Sequence, residues 1–406
     1  MRYLKLLLII SFYLTGVNLI SCSDDKDFFL ENVINEQQDE DEGDADEDSG
    51  DQDETDDNGD DSEDDQDTDD PDPDPDPDPD PDPDDDDEPD SGEPPVVDES
   101  ITVATWKNFA DAAISHTWDD SYDQQIEIAV PLFDAFNMNT TLYMLPNKID
   151  NWQPYKDAYR NGHEIASHTM SHPSFEGLDR ARVESELKNS QAIISQNMEY
   201  SECLTLAYPF CDTENHNLTE EYYIAARGCQ GRVEKATPDN FMEIASFLCG
   251  EGTANSTTSR LNSIAQSAQE ANGWAVYLFH MIGGTGGFNI TPNTLEQHLQ
   301  FLDNNRERYW VDSFLNVVKY IKERDNMTVY LVRENASEIV VSCTDNLDDS
   351  IYNFPVTLKK EIPTNWNTAS VLQGSNAAES YIVEESGKKY IIFNAVPDQG
   401  EVTIAP

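Results

Sequence analysis

Basic side chains are scarce in this chain of 406 residues. Lysine and arginine together number 24, against 82 aspartates and glutamates, which gives a net charge of −58. Proteins that bind nucleic acids neutralise phosphates with clustered basic residues, so we expect no nucleic-acid partner. The same shortage argues against electrostatic docking on an anionic membrane.

Long apolar runs are also missing. The longest run, residues 6–20, is shorter than the roughly 20 residues that a membrane-spanning helix needs. Arg2 and Lys5 precede it, as basic residues precede the apolar part of a secretory signal peptide. We therefore predict a signal peptide over residues 1–21.

The residues that end this run are Leu19, Ile20, Ser21 and Cys22. They resemble a bacterial lipobox, in which the cysteine is lipidated and becomes the mature N-terminus. The resemblance implies a lipoprotein attached to the membrane through Cys22. Ser23 and the aspartates behind it resemble outer-membrane sorting and surface-export signals, so we expect a surface-exposed location in the cell envelope. An ordinary signal peptide with an incidental cysteine is the alternative.

No two cysteines have CxxC spacing, which argues against a cysteine zinc site. Beyond Cys22 the cysteines number five, at positions 203, 211, 229, 249 and 343. Disulfides are allowed outside the cytosol, and an odd number leaves at least one cysteine unpaired within the chain. The pairing itself is left open by the sequence.

Apolar residues are almost absent from residue 36 to residue 98, and residues 71–84 are a strict Pro-Asp repeat. Half of all acidic residues, 41 of 82, fall before residue 101, so residues 101–406 carry a net charge of only −20. A segment of this composition cannot bury enough apolar surface to fold, and proline favours an extended path. We predict that residues 22–100 form a disordered acidic tether.

Strand-like and helix-like patterns alternate between residues 101 and 326. Strands are predicted at 112–117, 140–145, 164–167, 204–207 and 274–279, and helices at 126–136, 153–160, 179–197, 219–227, 295–304 and 311–324. This alternation predicts an α/β domain with parallel strand pairing, in which functional residues gather at the carboxyl ends of the strands. After residue 327 the pattern changes to six short strand-like runs, which predicts a small all-β domain over residues 327–406.

Polar residues with catalytic chemistry follow three of the predicted strands. Asp119 and Asp120 end the first strand, and burying two adjacent carboxylates is costly without a cation. His168 and His172 are four residues apart, a spacing that lets two imidazoles hold one ion. His280 ends the strand at 274–279. Each signal alone is ordinary, because solvated turns and structural histidines are common.

Together these segments resemble the polysaccharide deacetylases, the NodB-like catalytic domain of carbohydrate esterase family 4. The segment 117–120 (TWDD) resembles that family's T-F-D-D-G motif, and 168–172 (HTMSH) resembles its H-[ST]-x-x-H motif. The segments 207–210 (AYPF) and 278–280 (LFH) are similar to the R-x-P-[YF] and L-x-H motifs. The resemblance covers about residues 104–325.

The resemblance implies a distorted (β/α) barrel and a divalent metal, most often zinc, on Asp120, His168 and His172. It implies that Asp119 is the general base and that His280 is the general acid. The oxyanion of the reaction would face the backbone N–H of Tyr208, and Tyr208, Pro209 and Phe210 would line the substrate site.

The chain departs from the family's motifs at two positions and lacks a clear D-x-x-D-W motif. Ser121 replaces the glycine of the first motif, and Ala207 replaces an arginine that orients the catalytic aspartate. Another basic residue must then hold Asp119. Arg227 and Arg232 are the candidates, and we prefer Arg227, at the end of the predicted helix 219–227.

The resemblance implies a metal-dependent hydrolase, expected to be a monomer, that removes acetyl groups from a polysaccharide. Its substrate would be a glycan containing N-acetylglucosamine or an acetylated xylan. The alternative is a carbohydrate-binding surface lipoprotein on a deacetylase scaffold that has lost activity. A third hypothesis makes the chain a tethered protein whose all-β domain docks a partner.

Overall fold

The computed structural model describes residues 100–198 and 203–406. The predicted signal peptide, the lipidated Cys22 and nearly all of the predicted tether lie outside the described residues. Within the described ranges, the helices are all too short or too polar to cross a membrane.

The elements of the described chain follow in sequence order. The helices are α1 Val130–Ala135, α2 Gln153–Arg160, α3 Arg180–Met198, α4 His216–Thr219, α5 Thr258–Glu270, α6 Pro292–Asp303 and α7 Phe314–Asn326. The strands are β1 Ile101–Val103, β2 Ala112–Trp118, β3 Thr141–Met144, β4 Glu164–Ser167, β5 Thr205–Ala207, β6 Ala225–Arg227, β7 Phe247–Leu248, β8 Trp274–Phe279, β9 Met281–Ile282, β10 Asn289–Ile290, β11 Tyr309–Val311, β12 Thr328–Glu334, β13 Ile339–Thr344, β14 Val356–Ile362, β15 Ser370–Gln373, β16 Asn376–Ala377, β17 Ser380–Glu385, β18 Lys388–Ala395 and β19 Val402–Ala405.

A parallel sheet forms the centre of the first part of the molecule. Its strands follow the order β6-β5-β4-β3-β2-β8-β7, and β11 pairs with the first residues of β2. Every residue of β2 and β8 is buried, as expected for strands that helices cover on both faces. Because all these pairs are parallel, the carboxyl ends of the strands meet at one edge, which positions the candidate site.

Helices pack on this sheet through aromatic and aliphatic side chains. The ring of Phe314, at the start of α7, lies 5.0 Å from that of Trp274 on β8 and 6.1 Å from that of Tyr143 on β3. Leu295 and Leu299 on α6 are fully buried. This apolar packing supplies most of the driving force that holds the strand ends in place.

Two antiparallel sheets follow. One has the order β1-β14-β18-β17 and the other the order β12-β13-β19-β15-β16. They share an apolar core that includes Leu358 and Phe393 from the first sheet and Val341 and Ile404 from the second. Strand β1, at the start of the described chain, pairs with β14, with Val103 opposite Leu358.

The predicted fold class is confirmed. A half-barrel parallel sheet with helices is followed by antiparallel sheets that pack as a small all-β region. The limits of the predicted domains, 1–21, 22–100, 101–326 and 327–406, stay predictions.

The predicted helix at 219–227 is wrong. Only His216–Thr219 is helical, and Ala225–Arg227 is the strand β6 beside β5. Residues 225–227 are fully buried, and this tertiary packing outweighs the helical propensity of alanine and arginine. The helix predicted at 311–324 begins three residues later, where Ser313 caps it by accepting a hydrogen bond from the Asn316 N–H.

Candidate active site

Asp119 and Asp120 follow directly after β2, in the centre of the sheet. The Asp119 N–H donates to the carbonyl of Phe279, the last residue of β8, at 2.9 Å. The buried Gln125 side chain donates from Nε2 to the carbonyls of Asp119 and His280, at 2.5 and 2.8 Å. Gln125 therefore ties together the ends of the two strands that carry these candidate residues.

The backbone turns sharply at Asp120 and Ser121, which have φ values of 75° and 62°. This left-handed region favours glycine, which is the residue in the family's motif. Ser121 adopts it here, and its Oγ accepts a hydrogen bond of 2.8 Å from the Leu145 N–H, just after β3. The hydroxyl thus offsets part of the conformational cost by satisfying a buried backbone donor.

His168 follows β4 and is buried, with its imidazole fixed at both nitrogens. Its Nδ1 bonds to the Ala207 carbonyl at 2.8 Å, which requires the Nδ1–H tautomer in the neutral ring. The lone pair of Nε2 then faces the aspartates, at 3.5 Å from Asp120 Oδ1 and 3.7 Å from Asp119 Oδ2. A histidine whose second nitrogen is held by a carbonyl is the usual arrangement of a metal-ligating histidine.

His172 lies in a tight loop that a glutamate from α3 holds. Thr169 and His172 have positive φ values of 69° and 62°. The buried Glu186 carboxylate accepts from the N–H groups of Met170 and Ser171, at 2.9 and 2.8 Å, and from Ser171 Oγ at 2.7 Å. This loop places His172 Nε2 at 3.4 Å from Asp120 Oδ1.

Asp120, His168 and His172 have ligand atoms that all lie within 4.8 Å of one another. Burial alone would raise the pKa of Asp120, but the His168 hydrogen bond and the charges of three histidines hold it well below its usual range. Burial, followed by the charge of His168, lowers the pKa of His172 to about 4. Burial lowers the pKa of His168, but the charge of Asp119 and the hydrogen bond to Asp120 raise it overall, so a metal cation would displace a proton from this imidazole.

Arg227 lies at the end of β6 and contacts the predicted base. Its Nη2 is 2.7 Å from Asp119 Oδ1 and 2.5 Å from Asp119 Oδ2. Its Nη1 donates to the carbonyl of Gly228 and to Ser246 Oγ, at 3.2 and 3.3 Å. The guanidinium is fully buried, so the ion pair works in a low dielectric environment. The other candidate, Arg232, pairs with Glu234 instead, at 2.9 Å.

A disulfide joins the two segments that flank this ion pair. Cys211 ends the short 3₁₀ turn Pro209–Cys211 after β5, and Cys229 follows Arg227 by two residues. Cys203, Cys249 and Cys343 are buried and lie outside this disulfide. The sequence indicated only that at least one cysteine would be unpaired.

His280 follows β8 on the other side of Asp120. Its Nε2 lies 3.9 Å from Asp120 Oδ2, and its ring centroid is 5.3 Å from that of Phe288. Burial lowers the pKa of His280. Its Nδ1 has no hydrogen-bond partner within the part of the chain that the structure describes.

The structure differs from the sequence-based expectation at Tyr208. Its N–H donates to the Arg227 carbonyl at 3.1 Å, because β5 and β6 pair at this point, so this amide does not face an oxyanion. Its side chain is buried against Phe175 and offers no surface to a sugar. Pro209 is also buried, whereas Phe210 is only half-buried, with its ring 4.6 Å from that of His172.

The structure therefore brings Asp119, Asp120, His168, His172 and His280 together, with Arg227 behind them. It does not bring Tyr208 or Arg232 into the site. Sequence reasoning missed Glu186 and Gln125, which hold the loop of His172 and the strand ends. Neither had a local signal, because Glu186 lies on the predicted helix 179–197 and Gln125 directly before the predicted helix 126–136, and polar residues in such positions are normally solvent-exposed.

Residues 107–223 match the family model described as polysaccharide deacetylase. The match contains the first three motifs and confirms the resemblance for this part of the chain, while the segment at 278–280 lies beyond it. Residues 107–223 are thus similar to the polysaccharide deacetylase family.

The chain is also similar to a gellan lyase of Bacillus sp, with 28% identity over 326 residues, which are 75% of this chain and 13% of that protein. It is 24% identical over 117 residues to YxkH of Bacillus subtilis (strain 168), and these are 28% of this chain and 42% of that protein. The chain thus spans less than half the length of each of these curated relatives. Among solved structures it is similar to the Xyl-CE4 domain of a multidomain xylanase from the hindgut metagenome of Trinervitermes trinervoides, with 16% identity and a TM-score of 0.38, over 51% of this chain and 89% of that one.

Proposed function

We propose that this chain is a metal-dependent hydrolase that removes acetyl groups from a polysaccharide, with zinc as the metal. The observation that carries the proposal is the convergence of Asp119, Asp120, His168, His172 and His280 at one edge of the sheet. The family match of residues 107–223 supports the reaction class.

The donor set fits a divalent cation. Asp120, His168 and His172 offer one oxygen and two nitrogens, and His168 Nδ1 is already engaged with a carbonyl, which leaves Nε2 free for a metal. Three protein ligands of this kind are typical of catalytic zinc sites, which keep a position open for water or substrate. A zinc ion, when bound, acidifies water and polarises an acetyl carbonyl.

In our proposal Asp119 is the general base and takes a proton from the attacking water. Arg227 contacts both oxygens of its carboxylate, so that the base stays in one orientation. His280 approaches from the opposite side of Asp120 and donates a proton to the leaving amine or alcohol. Because burial lowers the pKa of His280, its imidazolium form is a stronger acid and gives up its proton more easily.

Phe210 and Phe288 border this site on two sides, next to His172 and His280 respectively. Aromatic side chains in such positions can stack on sugar rings, which supports a polysaccharide as the partner. We propose a glycan of N-acetylglucosamine or an acetylated xylan as substrate. We further propose, from the sequence alone, a monomer anchored through Cys22 to the outer membrane and exposed at the cell surface, with no nucleic-acid partner.

Acetate release by the full chain tests the proposal. The substrates are acetylated chitooligomers, peptidoglycan, acetyl-xylan and gellan, the last because a relative is named gellan lyase. We expect release that requires zinc, stops on chelation and falls about 10²–10⁴-fold in Asp119→Asn, whose metal content stays unchanged. His172→Ala should lose both metal and activity, while His216→Ala, outside the site, should keep both.

The alternative function is non-catalytic glycan binding. It is supported by Ala207, which stands at the position of the third motif's arginine, and by Nδ1 of His280, which has no hydrogen-bond partner among the described residues. The ion pair of Arg227 with Asp119 argues against it, because a binding protein has no need of a fixed base. Stoichiometric metal and glycan binding without acetate release from any of the substrates would make this alternative the better one.

A further inference from the structure

A polar cavity lies on the all-β region, beside the turn that leads into β2. Its volume is about 310 Å³, at the lower end of the range of small-molecule sites. The polar residues that line it are Asn108, Glu379, Ser380, Tyr381 and Asn394. Asn108 precedes β2 and Asp119 follows it, and the seven residues of this strand extend for roughly 23 Å. The cavity and the candidate active site are therefore separate.

Tyr381 stands on the outer face of the sheet formed by β1, β14, β18 and β17. The next residue, Ile382, packs against the core of the all-β region, so the side chain of Tyr381 points the other way. It is 46% exposed, and no aromatic or basic side chain among the described residues lies against its ring. Its strand neighbour Ile392 adds an apolar side chain to the cavity wall. The ring of Tyr381 is thus available to pack against a ligand.

A chain of hydrogen bonds fixes the polar side of the cavity. The Asn108 N–H donates to Thr357 Oγ1 at 3.0 Å, and this hydroxyl donates to Asn394 Oδ1 at 2.6 Å. Asn394 Nδ2 donates in turn to Glu379 Oε2 at 3.1 Å. Asn394 is buried, so these bonds hold the cavity wall in one arrangement before a ligand arrives.

Several polar groups at the cavity keep their hydrogen-bonding capacity. The side-chain amide of Asn108 and the hydroxyls of Ser380 and Tyr381 have no hydrogen bond to other residues of the described chain. Together they offer both donors and acceptors. The only charged group in the lining is the carboxylate of Glu379, which disfavours phosphates, uronic acids and other anions. The lining therefore fits an uncharged ligand with several hydroxyl groups.

The turn that carries Asn108 has an uncommon backbone. Asn108 and Phe109 both lie in the left-handed region, with φ values of 59° and 58°. This conformation is costly for a bulky residue such as Phe109, and such conformations gather at ligand sites. Here the turn is tied to the sheet through Thr357, and it places the Asn108 amide at the edge of the cavity.

We propose that this cavity binds one sugar residue of an uncharged polysaccharide and so holds the protein on its glycan. A sugar ring presents apolar C–H groups on its faces, which an exposed aromatic ring can cover, and hydroxyl groups at its edge, which amide, hydroxyl and carboxylate groups can bind. The small volume favours a single ring. Because the cavity lies at the other end of β2 from Asp119, it acts on retention of the protein at the polymer and does not depend on deacetylation.

Retention on insoluble chitin and insoluble xylan tests the site. The full chain carries Asp119→Asn, so that the polymer is not modified during the measurement. We expect Tyr381→Ala and Asn108→Gly, each added to this chain, to weaken binding to at least one polymer about 10-fold. Asn108→Gly should fold normally, because glycine adopts a φ of 59° at little cost. Soluble chitohexaose or xylohexaose should compete for the same site, and oligogalacturonate should not.

Tyr159→Ala is the matched control, because Tyr159 is 43% exposed on α2 and lies outside the cavity. It should keep full retention. With Asp119 intact, Tyr381→Ala should hydrolyse a small soluble acetylated substrate as fast as the parent chain does, which separates this site from the active site. Equal retention with and without the two cavity substitutions, an equal loss in Tyr159→Ala, competition by oligogalacturonate, or no retention of the Asp119→Asn chain on either polymer would overturn the proposal.

Discussion

One nitrogen of Arg227 contacts both carboxylate oxygens of Asp119, and the two residues are 108 positions apart in the chain. The arginine reaches Asp119 from β6, and three strands, β5, β4 and β3, lie between β6 and β2 in the sheet order. In the family the corresponding arginine belongs to the third motif, at the position of Ala207. Here the positive charge beside Asp119 comes from β6, the neighbour of the strand that ends at Ala207.

Arg227→Met should lower kcat for deacetylation about 10²-fold, because the base is no longer held in one orientation. KM and metal content should change little, since the metal ligands keep their own contacts. Steady-state kinetics with metal analysis measures both. Arg232→Met is the matched control, because this arginine pairs with Glu234. A fall in metal content equal to the fall in kcat would show that Arg227 acts on the metal site instead.

Glu186→Gln should weaken zinc binding about 10–100-fold, which is typical for residues that hold metal ligands in place. The neutral amide of glutamine is a weaker acceptor than the carboxylate for the N–H groups of Met170 and Ser171. Its NH₂ group also cannot accept a hydrogen bond from these donors, so the loop of His172 is held less firmly. Competition with a chelator measures the affinity. Glu184→Gln, on the same helix and bonded to Tyr222 Oη at 2.8 Å, should leave zinc affinity unchanged. Equal affinities for both variants would contradict the role of Glu186.

Cys211→Ser/Cys229→Ser should lower the free energy of unfolding by about 3 kcal/mol, because the bond closes a loop with a sequence separation of 18 residues. It should also lower kcat, since the bond links the turn of Phe210 to the strand end of Arg227. Urea unfolding under oxidising conditions measures the first effect. Cys203→Ser, which removes a buried thiol, is the comparison for a cysteine outside the disulfide. An unchanged stability in the double variant would argue against the bond.

The pair of His116 and His298 should make the fold sensitive to acid. Their Nε2 atoms are 3.1 Å apart, and His298 Nδ1 bonds to Asn262 Oδ1 at 2.7 Å. Burial lowers the pKa of His298 to about 3, and burial together with His298 lowers the pKa of His116 well below its usual value. Below about pH 6.5 the unfolded chain binds protons that the folded chain does not.

The free energy of unfolding is therefore not reduced by these histidines above about pH 6.5. As the pH falls below 6.5, the free energy of unfolding decreases by about 1.4 kcal/mol per pH unit for each histidine. His298→Gln removes one titrating group and should reduce this slope by about 1.4 kcal/mol per pH unit. Urea unfolding at several pH values below 6.5 gives both slopes. Parallel stability curves for the parent chain and the variant would contradict the prediction.

Local patterns in the sequence predicted much of the site. Asp119 and Asp120 directly follow a strand, and His168 and His172 share one short loop, so their chemistry is visible within a few residues. The strands at 164–167 and 274–279 were predicted at their observed limits, and the second of them is a continuous apolar run. Helix α2 was also predicted at its observed limits, since Asn161 and Gly162 end it.

The missed elements lacked such patterns. Strands β6, β7 and β11 have two or three residues, too few to show periodicity. Helix α5 has many polar residues and was not predicted, although Leu261, Ile264, Ala265 and Ala268 form a buried face. The helix predicted at 219–227 failed because alanine and arginine favour helices locally, while the sheet required a strand there.

The sequence by itself determined five strands of the parallel sheet (β2, β3, β4, β5 and β8), the residues at the ends of β2, β4 and β8, and the donor set that a metal can use. The tertiary structure decided which arginine holds Asp119, which acid holds the loop of His172, which cysteines pair, and that the Tyr208 amide is used within the sheet. The physical reason is distance along the chain. Neighbouring residues are held near one another by the backbone, whereas contacts such as that between Arg227 and Asp119 exist only once the parallel sheet has fixed the order of its strands.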